Sequence, residues 1–110
     1  MTFEEFYISD KNGKSNCVIR SLCKIANDLK NNSYNDVPVF EKYMEDNNIF
    51  KISCEEDIKV KDLKIDNSSY IVFCYNKKDY YHMIPIINNT IYDKNSDCLN
   101  LNVISIYRKK

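Results

Sequence analysis

The chain has a single histidine (His82), a single glycine (Gly13), two prolines and no tryptophan in 110 residues. One imidazole rules out a histidine-rich zinc cluster. The five cysteines, Cys17, Cys23, Cys54, Cys74 and Cys98, include no CxxC or CxxxxC pair, so neither a metal nor another cofactor is expected. Net charge is also lacking: 16 basic and 16 acidic residues are interspersed. Without a basic stripe, neither nucleic acid nor an anionic membrane is an expected partner. No run approaches the ~20 apolar residues of a membrane span, and the N-terminus MTFEEFYISDKNGK has no apolar signal region. The expectation is a soluble, cytoplasmic protein with reduced thiols, one domain over residues 1–110, burying roughly 65% of its unfolded surface.

What is present is a change of hydrophobic period along the chain. FEEFYI at 3–8 reads as a short strand or turn, followed by the polar loop DKNGKSN at 10–16. Val18, Ile19, Leu22, Cys23, Ile25, Ala26 and Leu29 recur at three- and four-residue spacing, which predicts a core-facing helix capped by Asn16. A second helix is predicted with Val37, Phe40, Tyr43 and Met44 inward, stopped by DNN at 46–48. IFKIS at 49–53 reads as a short strand and VKDLKI near 60–65 as a short helix or irregular turn. The period then becomes two: SYIVFCY at 69–75, YYHMIPII at 80–87, TIYD at 90–93 and NVISIYR at 102–108 predict an antiparallel meander. The expected class is α+β, with N-terminal helices packed on a C-terminal antiparallel sheet.

Alternation along 80–87 puts His82, Ile84 and Ile86 on one face; if the two isoleucines pack on the first helix, His82 faces it too. Pro85 cannot donate to a ladder, so an edge or bulge is expected there. A tight turn at Asn88-Asn89 returns Asp93 to the vicinity of Ile84. Cys17, at a predicted helix start, is a candidate nucleophile, because a helix N-terminus and a nearby imidazolium both favour the thiolate. His82 can hold that ion pair and protonate a leaving amine, and an acid on its other ring nitrogen fixes the tautomer. Asp93 is the first choice for that acid, with Asn95 and Asp97 as fallbacks. Each residue also has a structural reading: Cys17 as a small buried side chain, His82 as a strand-start surface residue, Asp93 as the opening of the DKNSD turn. Tyr75, Tyr80 and Tyr81 line a groove or are ordinary β-residues.

The blocks SNCVIRSL, SYIVFCY and YYHMIPIINNTIYDKNS resemble the cysteine, pre-histidine and histidine-aspartate blocks of compact papain-like cysteine peptidases, such as bacteriocin-leader-processing peptidases and small phage and bacterial members. The resemblance spans 15–108. It implies a papain-like minimal domain with Cys17 as nucleophile, His82 as base and Asp93 as orienting acid. The implied activity is cleavage of a peptide, isopeptide or related amide bond in a protein or peptide substrate. One departure concerns the oxyanion hole. Where that family usually carries glutamine, this chain has Lys11, and Asn12 and Asn16 are the candidate substitutes. Val18 also replaces the glycine or tryptophan common after the nucleophile. The alternative is a non-catalytic α+β binding module, for example a phage- or mobile-element-encoded effector acting on a host protein.

Overall fold

The computed structural model describes residues 1–6, 21, 24–25, 42, 44–52, 58–76 and 81–110. Strands Thr2–Glu5 (β1), Ile49–Ile52 (β2), Ser69–Tyr75 (β3), Tyr81–Ile87 (β4), Thr90–Asp93 (β5) and Asn102–Lys109 (β6) form one sheet in the order β1-β5-β4-β3-β6-β2. Every neighbouring pair is antiparallel except β1–β5, which is parallel. The N-terminal half therefore supplies both edges of the sheet.

This corrects the expected architecture of a papain-like minimal domain. The sheet is mixed, it is not confined to the C-terminal half, and no helix of seven or more residues occurs among the described residues. Helical backbone is described at Ser21, Lys24, Ile25, Lys42 and Met44–Asp46. Nor is the C-terminal part a simple meander, because β6 crosses back to pair with β3 and leaves the free side of β5 to β1. The β1 ladder is anchored at each end, by Thr2 N–H donating to Asn89 O at 3.1 Å and Phe6 N–H to Asp93 O at 2.8 Å.

Local signals in the β-rich part do match. The β4–β5 turn is Asn88-Asn89, both left-handed at φ 51° and 63°, the geometry of a tight hairpin that asparagine tolerates. Asn48, at φ 61°, ends the helical stretch of Met44–Asp46. Val60–Asp62 forms a short 3₁₀ turn, and Ser96–Asn100 forms another, capped by the Asn95 side chain accepting from Asp97 N–H at 2.9 Å. The β3–β6 register shifts between Phe73 and Cys74, so Ile104 becomes an extra, bulged residue and is exposed.

Each face of the sheet carries a buried cluster. On one, Val72, Cys74, Ile84, Ile86, Ile91 and Ile106 pack against the two 3₁₀ turns through Val60, Leu63, Cys98 and Leu101. On the other, Ile71 and Met83 pack with Ile25, Met44 and Ile49. Alternation of His82, Ile84 and Ile86 is as expected, but the partner is not: the helical residues Ile25 and Met44 lie on the Met83 face. The face bearing His82 is covered by the 3₁₀ turns instead.

An exposed polar cluster pins the chain entering β3 to β6. Asp66 accepts from Tyr70 Oη and from Ser68 N–H, while Arg108 donates to Asp66 at 3.3 Å and to Ser68 Oγ at 3.0 Å. The Tyr70 bond, followed by those to Ser68, holds the Asp66 carboxyl at about 2 against an ordinary 3.8. A depressed acid stabilises the fold above its unfolded pKa and loses that contribution as pH falls through the folded one. Urea midpoints of the wild type should therefore drop between pH 4 and pH 2 more than those of Asp66→Asn. Equal drops would show that the cluster does not couple to folding.

Candidate functional site

The site is built where β4 starts and β5 ends. Pairing of Ile86 with Ile91 and Ile87 with Thr90 places Asp93 beside Ile84 by register, two residues from His82. The β4–β5 ladder stops at Pro85, which has no N–H to offer. Beyond it the strands are no longer paired, and the Asp93 carboxylate reaches His82: Nε2 to Oδ2 is 2.6 Å, with both residues buried. Asp93 Oδ1 accepts the Lys94 N–H at 2.8 Å. Asp93 thus opens the turn and holds the histidine at once, so its structural and functional readings are not exclusive.

With Asp93 ionised, its carboxylate only accepts, so Nε2 is the donor in this bond. Burial strengthens the pair, since little water competes for either group. The fallback orienters do other work, Asn95 capping the 3₁₀ turn through Asp97 N–H.

A cavity of about 400 Å³ opens beside the pair, its walls completed by Asn76, Lys94, Asn95, Asp97, Cys98 and Leu101. Sequence reasoning gave Cys98 no role and missed its place here. The only signal was its position in the same DKNSDC turn as Asp93. Its thiol is pushed up to about 12, first by burial and then by the charge of Asp93. Cys74 is wholly buried, its Sγ donating to His82 O at 3.3 Å. Neither thiol has the electropositive, accessible setting of a nucleophile.

Cys17 lies outside the described residues, as do Lys11, Asn12, Asn16, Val18 and Tyr80. Two described residues that bracket that segment, Phe6 and Lys24, contact the strand that ends in Asp93. Phe6 hydrogen-bonds Asp93 O, and the Lys24 ammonium stands 4.9 Å from the Phe6 ring centroid and 4.1 Å from that of Tyr92. The two rings meet edge to face at 6.2 Å, a cation–π clamp on the residue next to Asp93. Tyr81 stacks on Phe73 and Tyr75, and strand alternation sets this aromatic strip on the sheet face opposite His82. No protein family, curated protein or solved structure matches the chain.

Proposed function

We propose that the protein is a thiol hydrolase acting on a peptide, isopeptide or related amide bond, with Cys17 as nucleophile, His82 as acid and base, and Asp93 as the acid that orients it. The buried His82–Asp93 bond at 2.6 Å carries this reading, because it fixes an imidazole in one tautomer at the wall of a cavity. Two further observations support it. Phe6 and Lys24, which bracket Cys17 in sequence, both contact the strand that ends in Asp93, and neither described cysteine suits nucleophilic attack.

In this scheme the Cys17 thiolate adds to the amide carbonyl carbon, forming the C–S bond and a tetrahedral oxyanion. His82 passes its Nδ1 proton to the amine as the C–N bond breaks, leaving a thioester. Water, deprotonated by the now neutral imidazole, attacks the thioester and releases the acid, restoring thiolate and imidazolium. Asp93 keeps its hydrogen bond to Nε2 throughout. The Cys17 N–H and the side-chain amide of Asn12 or Asn16 are the candidate oxyanion donors.

The test is the pH profile of alkylation, read cysteine by cysteine by mass spectrometry. At pH 6 iodoacetamide should label Cys17 well ahead of Cys23, Cys54, Cys74 and Cys98. Slow, uniform labelling would remove the nucleophile and leave the second reading, a non-catalytic module that binds a host protein. The observation favouring that second reading is the stacked strip of Phe73, Tyr75 and Tyr81, with Tyr81 exposed. Rigid aromatic side chains of this kind make effective contact surfaces.

A further inference from the structure

We propose that Asn76 is a catalytic residue of the hydrolase, its side-chain amide donating a hydrogen bond to the oxyanion that forms when the thiolate adds to the substrate carbonyl. The proposal rests on the reading of His82 and Asp93 as the working acid–base pair. That scheme needs a second oxyanion donor besides a backbone N–H, and Asn12 and Asn16 both lie outside the described residues.

Register places Asn76 across His82 from Asp93. The strand of His82, β4, is flanked by β5 on one side and β3 on the other. On the β5 side, continuation of the pairs Ile87–Thr90 and Ile86–Ile91 brings Asp93 level with Ile84. On the β3 side, the pairs Cys74–His82 and Tyr75–Tyr81 put Asn76 one step past the end of the ladder, beyond His82 in the opposite direction. The imidazole therefore sits on the diagonal between the two, with Asp93 bonded to its Nε2. Asn76 also follows Val72 and Cys74 at two-residue spacing, and both of these pack on the His82 face. It is half-buried and lines the same cavity of about 400 Å³. A carbonyl presented to the imidazole in that cavity has Asn76 on the flank away from Asp93.

The chemistry of the cavity wall points the same way. Ionised Asp93 and Asp97 only accept, Leu101 is apolar, and the Cys98 thiol is a weak donor. Lys94 and Asn95 carry donors, but they stand in the turn that Asp93 opens, and the Asn95 side chain is engaged in capping that turn. A carboxamide N–H is a neutral donor. It stabilises an oxyanion without setting a second positive charge beside the imidazolium.

Two reagents separate this role from any other. Iodoacetamide alkylates the Cys17 sulfur by displacing iodide and passes through no oxyanion. With p-nitrophenyl acetate the thiolate adds to the carbonyl carbon, the C–S bond forms, and the tetrahedral oxyanion collapses with loss of p-nitrophenolate to leave a thioester. The burst of nitrophenolate, less that given by Cys17→Ala, measures acylation. In Asn76→Ala and Asn76→Leu acylation should fall on the order of 10²–10³-fold, the usual cost of one oxyanion donor, while alkylation of Cys17 by iodoacetamide at pH 6 keeps its wild-type rate. Leucine is close to asparagine in size, so acylation restored in Asn76→Leu would reveal a space-filling role and overturn the proposal. An equal fall with both reagents would show that Asn76 acts on the thiolate or the imidazole instead, and overturns it as well. A wild type that labels Cys17 selectively but acylates no faster than Asn76→Leu removes Asn76 and leaves the His82–Asp93 reading standing. Absence of selective labelling in the wild type overturns both.

Discussion

Replacing His82 with alanine is expected to cut the thiolate fraction of Cys17 at pH 6 by about two orders of magnitude. An unassisted thiol with a pKa of ~8.5 is about 0.3% ionised at that pH, whereas one held by an imidazolium titrates near or below 6 and is mostly thiolate. The alkylation rate at pH 6 will fall less, roughly tenfold, because a more acidic thiolate is a poorer nucleophile. The midpoint of the pH profile is therefore the quantity to fit. His82→Gln provides the control for folding, since it keeps a donor toward Asp93 and avoids leaving a buried carboxylate unpaired, a defect that costs about 3–5 kcal/mol. Asp93→Asn should shift the midpoint in the same direction by a smaller amount. Added to His82→Ala, it should shift nothing more, because Asp93 acts on the thiol only through the imidazole. A profile unchanged in His82→Ala would sink the hydrolase reading. A further shift in the double variant would mean that Asp93 touches the chemistry by another route.

The pairing of His82 with Asp93 was legible in the sequence because it depends on short-range features. A period-two strand fixes the face of His82, Asn88-Asn89 fixes a tight turn, and the return strand ends in an acid eleven positions after the histidine. Pro85 was also legible as an irregularity, and its consequence is functional: the ladder ends there and lets β5 part from β4. What could not be read was long-range pairing. Nothing in TFEE says that it will lie parallel to a strand almost ninety positions away, nor does NVISIYR choose between β5 and β3 as its neighbour. Both are selected by which edge remains open once the hairpin has formed, a property of the assembled sheet. The covering of the two faces was misassigned for a related reason. Residues on β4 are buried from His82 through Ile86 without a break, and such a run shows that both sides are covered without showing by what.

That uninterrupted burial has a thermodynamic consequence. Ile84 and Met83 are adjacent and point to opposite faces, at 0% and 1% exposure. Ile84 packs among Val72, Ile86 and Ile106 beneath the 3₁₀ turns, whereas Met83 packs among Ile71, Ile25 and Met44. In a sheet with one solvated face, one of the two alanine substitutions would be nearly silent. Here each should cost about 2–5 kcal/mol, the transfer free energy of the lost groups plus the cavity left behind. Small domains are stable by only about 5–15 kcal/mol, so either substitution removes a large share of the total, and the pair together should leave little folded protein. Urea denaturation at fixed pH measures both, with Ile104→Ser on the exposed bulge as the reference, expected within about 0.5 kcal/mol of wild type. Should Met83→Ala match that reference while Ile84→Ala is strongly destabilised, the helical residues would not form a layer on the sheet. The Lys24 clamp on Tyr92 would then lose its packing context.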